Sequence, residues 1–142
     1  MRLLLLGINY EPEIISTAVY STDLAEHLST NGFEVKVVTA KPYYPAWRVM
    51  EAWRRPLWVR RRSKSGVGIV HCPLYVPSEP SGAKLILHHA SFALAALPVT
   101  IWNALTWRPD IVMGVAPSLL SAPVGLLAGR LCGAGSWLRV QD

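Results

Sequence analysis

The chain opens on an unbroken apolar run, Arg2-Leu-Leu-Leu-Leu-Gly-Ile8, which ends in the polar, proline-bearing loop Asn9-Tyr-Glu-Pro-Glu13. A run without alternation, closed by a turn, predicts a parallel strand buried on both faces. Residues 17–31 then change to helical spacing. Tyr20, Leu24 and Leu28 recur at i, i+4 and i+8 with Ala25 beside them, while Asp23, Glu26 and Ser29 look outward. Ser16 or Thr17 is placed to cap this helix at its start, and Asn31-Gly32 to cap its end. Glu34–Ala40 is rich in β-branched residues and reads as a second strand. Strand, helix, glycine turn and strand form a βαβ unit with a right-handed crossover.

Further along, Lys41-Pro-Tyr-Tyr-Pro-Ala-Trp47 is a stiff aromatic loop. Segments 57–63 and 68–76 can pair as a hairpin around Lys64-Ser65-Gly66, and residues 77–82 form a linker. Residues 84–107 carry almost no charge and are long enough to cross a bilayer, but His88, His89, Asn103 and Pro98 interrupt them. A strand over 110–116 follows at once, so a crossover helix, buried or lying at a membrane surface, is favoured over a span. Residues 118–132 predict a helix whose Ala122, Gly125, Ala128 and Gly129 allow close approach to a sheet. Gly133-Ala-Gly135 stops it, and 136–141 begins one more strand. The expected fold class is α/β, a Rossmann-like, doubly wound and mainly parallel sheet, cut short at a strand tip.

At 142 residues this is one domain in size, and 51% apolar against 16% charged residues is greasy for a soluble one. That balance points to a large covered interface, a membrane contact or an absent partner domain. Cys72 and Cys132 lack metal-ligand spacing and read as reduced core thiols. Leu3 to Leu6 is too short for a secretory leader, so a cytoplasmic location is expected. The net charge of +5 has one source: seven basic residues between Arg48 and Lys64 stand against Glu51 alone.

Ligands of open α/β sheets bind beyond the carboxyl ends of the parallel strands. That edge would collect Asn9, Tyr10 and Glu11, then Lys41-Pro42-Tyr43, then Pro117 and Ser118, and finally Gln141-Asp142. The start of the first helix adds the backbone amides of Ser16 and Thr17, suited to an anion. No GxGxxG, P-loop, GxSxG or CxxC motif is present. His27, His71, His88 and His89 have no acidic or cysteine partner at ligand spacing. His88 and His89, adjacent on a helix, point to different sides, so no metal site is expected.

GINYEPE after the first strand, VVTAKPYYPAW, HCPLYVPSEPSG, PDIVMGVAPSLLSAP and a last strand ending in QD together resemble the N-terminal half of a GT-B glycosyltransferase of retaining family 4. The likeness runs over essentially all 142 residues and is greatest to the subgroup serving exopolysaccharide and colanic acid biosynthesis. It implies that residues 1–142 are the acceptor-side domain, with the donor-binding domain and its glutamate pair outside them. The implied reaction is sugar transfer from a nucleotide sugar (UDP- or GDP-linked) to a lipid-linked or polysaccharide acceptor, with no other cofactor. This chain alone is expected to be inactive. Asp142 matches the acidic residue ending the last core strand near the cleft, or else caps a following helix. Relatives often carry a Gly-Gly pair in the first loop, where this chain has Glu13-Ile-Ile-Ser-Thr17. Tyr10, Tyr43 and Tyr44 line the acceptor side or pack as core.

Within the basic block, Trp47, Trp53 and Trp58 interleave with Arg54, Arg55, Arg60, Arg61 and Arg62. This composition suits attachment to the inner face of the plasma membrane, or simply a solvated face with packed tryptophans. Nucleic acid is not the expected partner, because no binding module is recognisable. The rival reading from another class is a non-catalytic, membrane-peripheral α/β binding domain.

Overall fold

A computed structural model of the chain describes residues 1–44, 46–49, 51–55, 57–79, 81–115 and 122–139. Its elements are β1 (Arg2–Gly7), α1 (Ser16–Thr30), β2 (Glu34–Ala40), β3 (Val59–Arg62), β4 (Gly68–Cys72), α2 (Gly82–Thr106), β5 (Ile111–Val115), α3 (Ala122–Cys132) and β6 (Gly135–Arg139). The six strands form one sheet in the order β3-β4-β2-β1-β5-β6. All neighbours are parallel except β3, which runs antiparallel to β4 as the edge of the expected hairpin. From β1 the chain winds outward through β2 and β4, then returns over the sheet by α2 to start again at β5. The reversal falls between β1 and β5, so the sheet is doubly wound.

Two cores lie on its two faces. Leu3 and Leu5 of β1 pack with Val35, Val37 and Ile69 beneath Ala25 of α1. Leu4, Leu6, Val38 and Val112 pack on the other face with Phe92, Ala93 and Ala96 of α2 and Val124 of α3. α3 packs directly on the sheet at Gly125, where a Cβ would stand in ordinary contact with Val112 and Leu6 at 3.6 and 3.8 Å. α2 is long and apolar enough to cross a membrane by length and composition. Its Phe92, Ala96 and Thr100 are nevertheless buried, and it connects two parallel strands of one sheet as the crossover helix.

α1 departs from expectation at both its face and its start. Its buried positions are Ala18, Ser21 and Ala25, whereas Tyr20 is 57% exposed and Leu24 only half-buried. Small residues bring the helix axis close to the sheet and leave no room for a tyrosine ring. The residue before the helix is Ile15 in extended conformation, and no side chain caps the first turn. Ser16 and Thr17 are already helical, which removes them from capping geometry. The other end is as expected. Gly32 takes φ +94°, Phe33 N–H donates to Leu28 O at 3.0 Å and Gly32 N–H to Ser29 O at 3.3 Å, a Schellman closure.

The face assignment of α1 is open to a direct comparison of variants. Ala25→Leu should lower the free energy of unfolding by about 1–3 kcal/mol through overpacking, while Tyr20→Ala should stay within about 0.5 kcal/mol. Urea midpoints in the reverse order would restore the tyrosine face.

Candidate functional site

The carboxyl edge of the sheet is organised by a buried carboxylate that the sequence did not single out. Glu13 lies in the loop between β1 and α1, where its Oε1 accepts from Asn9 Nδ2 at 2.9 Å. Its Oε2 accepts from the backbone N–H of Tyr43 at 2.9 Å and of Tyr44 at 2.7 Å. One carboxylate thus satisfies donors from the loops after both β1 and β2. Burial pushes its pKa up, and the bonds from Asn9, Tyr44 and Tyr43 oppose that shift. The Glu11–Pro12 peptide in the same loop is cis.

Glu11 is held from the other side. Arg61 donates through Nη1 to Glu11 Oε1 at 3.1 Å, through Nη2 to Glu11 O at 3.0 Å, and through Nε to His71 Nε2 at 2.9 Å. Since Nε2 accepts there, the His71 proton sits on Nδ1, which donates to Ala40 O at 3.0 Å. Desolvation lowers the His71 pKa to about 4; the bond to Ala40 opposes the shift, and Arg61 and Lys41 add to it. Arg61 is therefore a tether between the first loop and β4. The expectation that it faces a membrane is corrected. On β3 it points to the α1 face, opposite to Arg60 and Arg62.

Several other expected residues also turn inward. Tyr10 and Tyr43 are buried, and the Tyr43 ring meets His88 edge-on at 4.6 Å and Trp47 at 5.3 Å. Trp53 stacks edge-on against His71 at 4.8 Å. Of the three tyrosines at this edge only Tyr44, at 39% exposure, is open to a ligand. Trp47, Trp53, Tyr10 and Tyr43 are thus packing residues, because the loops over the sheet edge need large rings to fill the gap beneath them. Asn9 is buried and engaged with Glu13. Arg54 and Arg55 remain exposed. Pro117, Ser118 and Asp142 lie outside the described residues.

His88 and His89 do not point apart as expected. Their rings meet edge to face at 5.1 Å, and burial lowers both pKa values. His88 Nδ1 donates to Tyr75 O at 2.7 Å. Among the described residues no group of three His, Cys, Asp or Glu side chains gathers to hold a metal. Cys72 is buried in the core, which pushes its thiol up to about 12, and Cys132 donates to Ala128 O at 3.1 Å.

Two measurements check this edge. Glu13→Ala leaves three donors, those of Asn9, Tyr43 and Tyr44, without their acceptor and should cost about 3 kcal/mol of stability; a loss below about 0.5 kcal/mol would remove Glu13 as the organiser. For His71, the unfolded chain takes up a proton near its ordinary 6.5, the folded chain only near about 4. Between those values the unfolded state binds more protons. The contribution of neutral His71, full above 6.5, is lost as pH falls through the window, to a total of about 3 kcal/mol. An imidazole titration observed by NMR near the ordinary value would contradict the Arg61–His71–Ala40 chain.

Two solved structures share the doubly wound sheet. A solved glycotransferase of kitacinnamycin superposes with a TM-score of 0.59 at 16% identity, over 98% of this chain and 30% of that one. The C-terminal domain of a hydrogenase from Pyrococcus furiosus does so with a TM-score of 0.56 at 13% identity, over 99% of this chain and 90% of that one. Likeness of this kind carries the fold and no chemistry. Sequence is more telling. The chain is 39% identical over all 142 residues to a protein of Escherichia coli (strain K12) described as the colanic acid biosynthesis glycosyl transferase WcaI, and spans 34% of its length. Residues 17–142 match the family described as the glycosyl transferase 4-like domain. With nearly nine-tenths of its length matched, the chain belongs to the glycosyl transferase 4-like family.

Proposed function

We propose that these residues form the N-terminal, acceptor-side domain of a retaining GT-B glycosyltransferase. It transfers a sugar from a UDP- or GDP-sugar to a lipid-linked or polysaccharide acceptor of bacterial surface-glycan synthesis, at the inner face of the plasma membrane. The observation that carries the reading is the reversal of strand order between β1 and β5 in a chain of this family. Such a reversal opens a crevice at the carboxyl ends of the two strands. The loop 9–13 stands at that point, fixed by Glu13 and Arg61.

The roles divide accordingly. Glu13 and Arg61 are positioning residues that hold the loop so that the start of α1, which no side chain caps, faces the crevice with free amides. Those of Ser16 and Thr17 are suited to the donor's phosphates or to a phosphate of the acceptor. Tyr44 offers an exposed ring on which a sugar can stack. Asp142, three residues beyond the end of β6, supplies the carboxylate at the reacting edge. A second Rossmann-like domain provides the rest of the donor pocket, and its dipoles and cations stabilise the departing diphosphate.

The test is transfer of labelled sugar by the full-length protein from UDP- and GDP-sugars to polyisoprenyl-diphosphate-linked acceptors. Organic-extractable label is expected, with a loss of about a hundredfold or more in Asp142→Asn and no transfer by residues 1–142 alone. A full-length protein that is folded yet transfers from neither class of donor would favour a non-catalytic, membrane-peripheral binding domain.

A further inference from the structure

On the α2 face of the sheet, towards the amino ends of its parallel strands, the second half of α2 stands away from β3. An open groove of about 770 Å³ is left between them. Arg60 and Arg62 line it from β3, where they pair with Val70 and Gly68 of β4. Lys36 of β2 lies beside them, its Nζ donating to Asn103 Oδ1 at 3.3 Å and standing 4.8 Å from the centre of the Trp107 ring. The facing wall is apolar and consists of Pro98, Val99 and Trp102. Trp58, also in the lining, donates its indole N–H to Ala95 O at 3.1 Å and so fixes β3 against α2.

The charge in this groove is uncompensated. Among the described residues neither Arg60 nor Arg62 forms an ion pair. Burial and then the positive charges of Arg2, Arg62 and Arg60 lower the Lys36 pKa, with Glu34 alone opposing. The complement of three crowded cations beside an indole wall is an anion carried on an apolar body.

The outward face of α2 extends that wall. Leu87, Leu94, Pro98, Trp102 and Leu105 recur at helical spacing along one line, and all are exposed, Leu94 to 70% and Trp102 to 65%. No acidic residue occurs between Glu79 and Asp110. Apolar length, tryptophan and cations at one flank, without acid, are the features of a surface that lies in a headgroup layer.

We propose that the groove seats the phosphate headgroup of an anionic phospholipid while α2 lies along the bilayer, its outward stripe among the upper acyl chains. The inference rests on the membrane-peripheral part of the reading above and gives it an orientation. α2 runs beside the sheet from its carboxyl edge to its amino edge, a length of roughly 37 Å. Lying flat, it turns the crevice sideways along the membrane surface, within reach of a lipid-linked acceptor. Of the eight membrane-facing residues expected from sequence, Trp58, Arg60, Arg61 and Arg62 line the groove, but the Arg61 guanidinium is engaged with Glu11 and His71 on the other face of the sheet.

Vesicle flotation of the purified full-length protein tests it, with vesicles of phosphatidylcholine alone and vesicles in which a third of the lipid is phosphatidylglycerol. The wild type should float with the anionic vesicles only. The Arg60→Glu/Arg62→Glu variant should bind them at least about tenfold more weakly, and Trp102→Ala should also weaken binding. Arg54→Glu/Arg55→Glu carries the same change in net charge outside the groove and should lose no more than about threefold. Unchanged thermal unfolding of each variant shows that the fold is kept. An equal loss in the two double variants would overturn the groove while leaving peripheral attachment standing. A wild type that floats with neither vesicle would overturn both, without bearing on sugar transfer. Stabilisation by inorganic phosphate alone, abolished by Arg60→Glu/Arg62→Glu, would assign the groove to a soluble phosphate and overturn the lipid.

Discussion

Leu3, Leu4, Leu5 and Leu6 are buried from both sides of the sheet at once, each stabilising the fold by roughly 2–3 kcal/mol, and this double burial governs the architecture. A strand that is apolar on both faces needs a neighbour on each edge and a helix layer on each face. β2 and β5 supply the neighbours, α1 one layer, and α2 with α3 the other. To place β5 beside β1 after winding outward to β4, the chain must return across the sheet, and α2 is that return. The reversal of strand order between β1 and β5 follows from the same requirement. There the two strands come so close that a Cβ on Gly7 would stand 3.1 Å from that of Val115.

Strand and helix positions were legible because they depend on local periodicity. β2 has the expected bounds, α2 begins within two residues of expectation, and the Asn31-Gly32 closure was readable from glycine's tolerance of positive φ. Which face of α1 is buried was not legible in the same way. Tyr20, Leu24 and Leu28 make the more apolar stripe, but packing against the sheet decides, and the residues buried there are the small Ala18, Ser21 and Ala25. The hydroxyls of Ser16 and Thr17 suggested a cap, although the extended residue before the helix is Ile15. A cap depends on where the backbone turns, and composition does not fix that.

The candidate site was legible as a place and much less so as a set of side chains. Strand ends located the edge, and of the two readings open for Tyr10, Tyr43 and Trp53, an outward ring or a packed one, the packed one holds. The sequence holds no signal that separates a ring stacking on a sugar from one filling a loop. Glu13 does carry a signal, since a carboxylate beside a proline in an otherwise greasy chain, four residues from Asn9, is placed to be an internal acceptor. Arg61 was recoverable too. Once the hairpin is placed, the two-residue period of a strand puts Arg61 opposite to Arg60 and Arg62, and three consecutive arginines cease to be one patch.

Among the described residues β3 is also the outermost strand on its side of the sheet, paired with β4 along one edge only. An unpaired strand edge is a template on which another chain can add, and growth of that kind ends in aggregates. Here the exposed edge carries Arg60 and Arg62, so a second copy approaching in register would bring like charges together on a strand of four residues. The arginines that face the groove therefore also act as gatekeepers of the sheet. Neutral residues at both positions would remove that like-charge barrier and leave the edge more open to polymerisation.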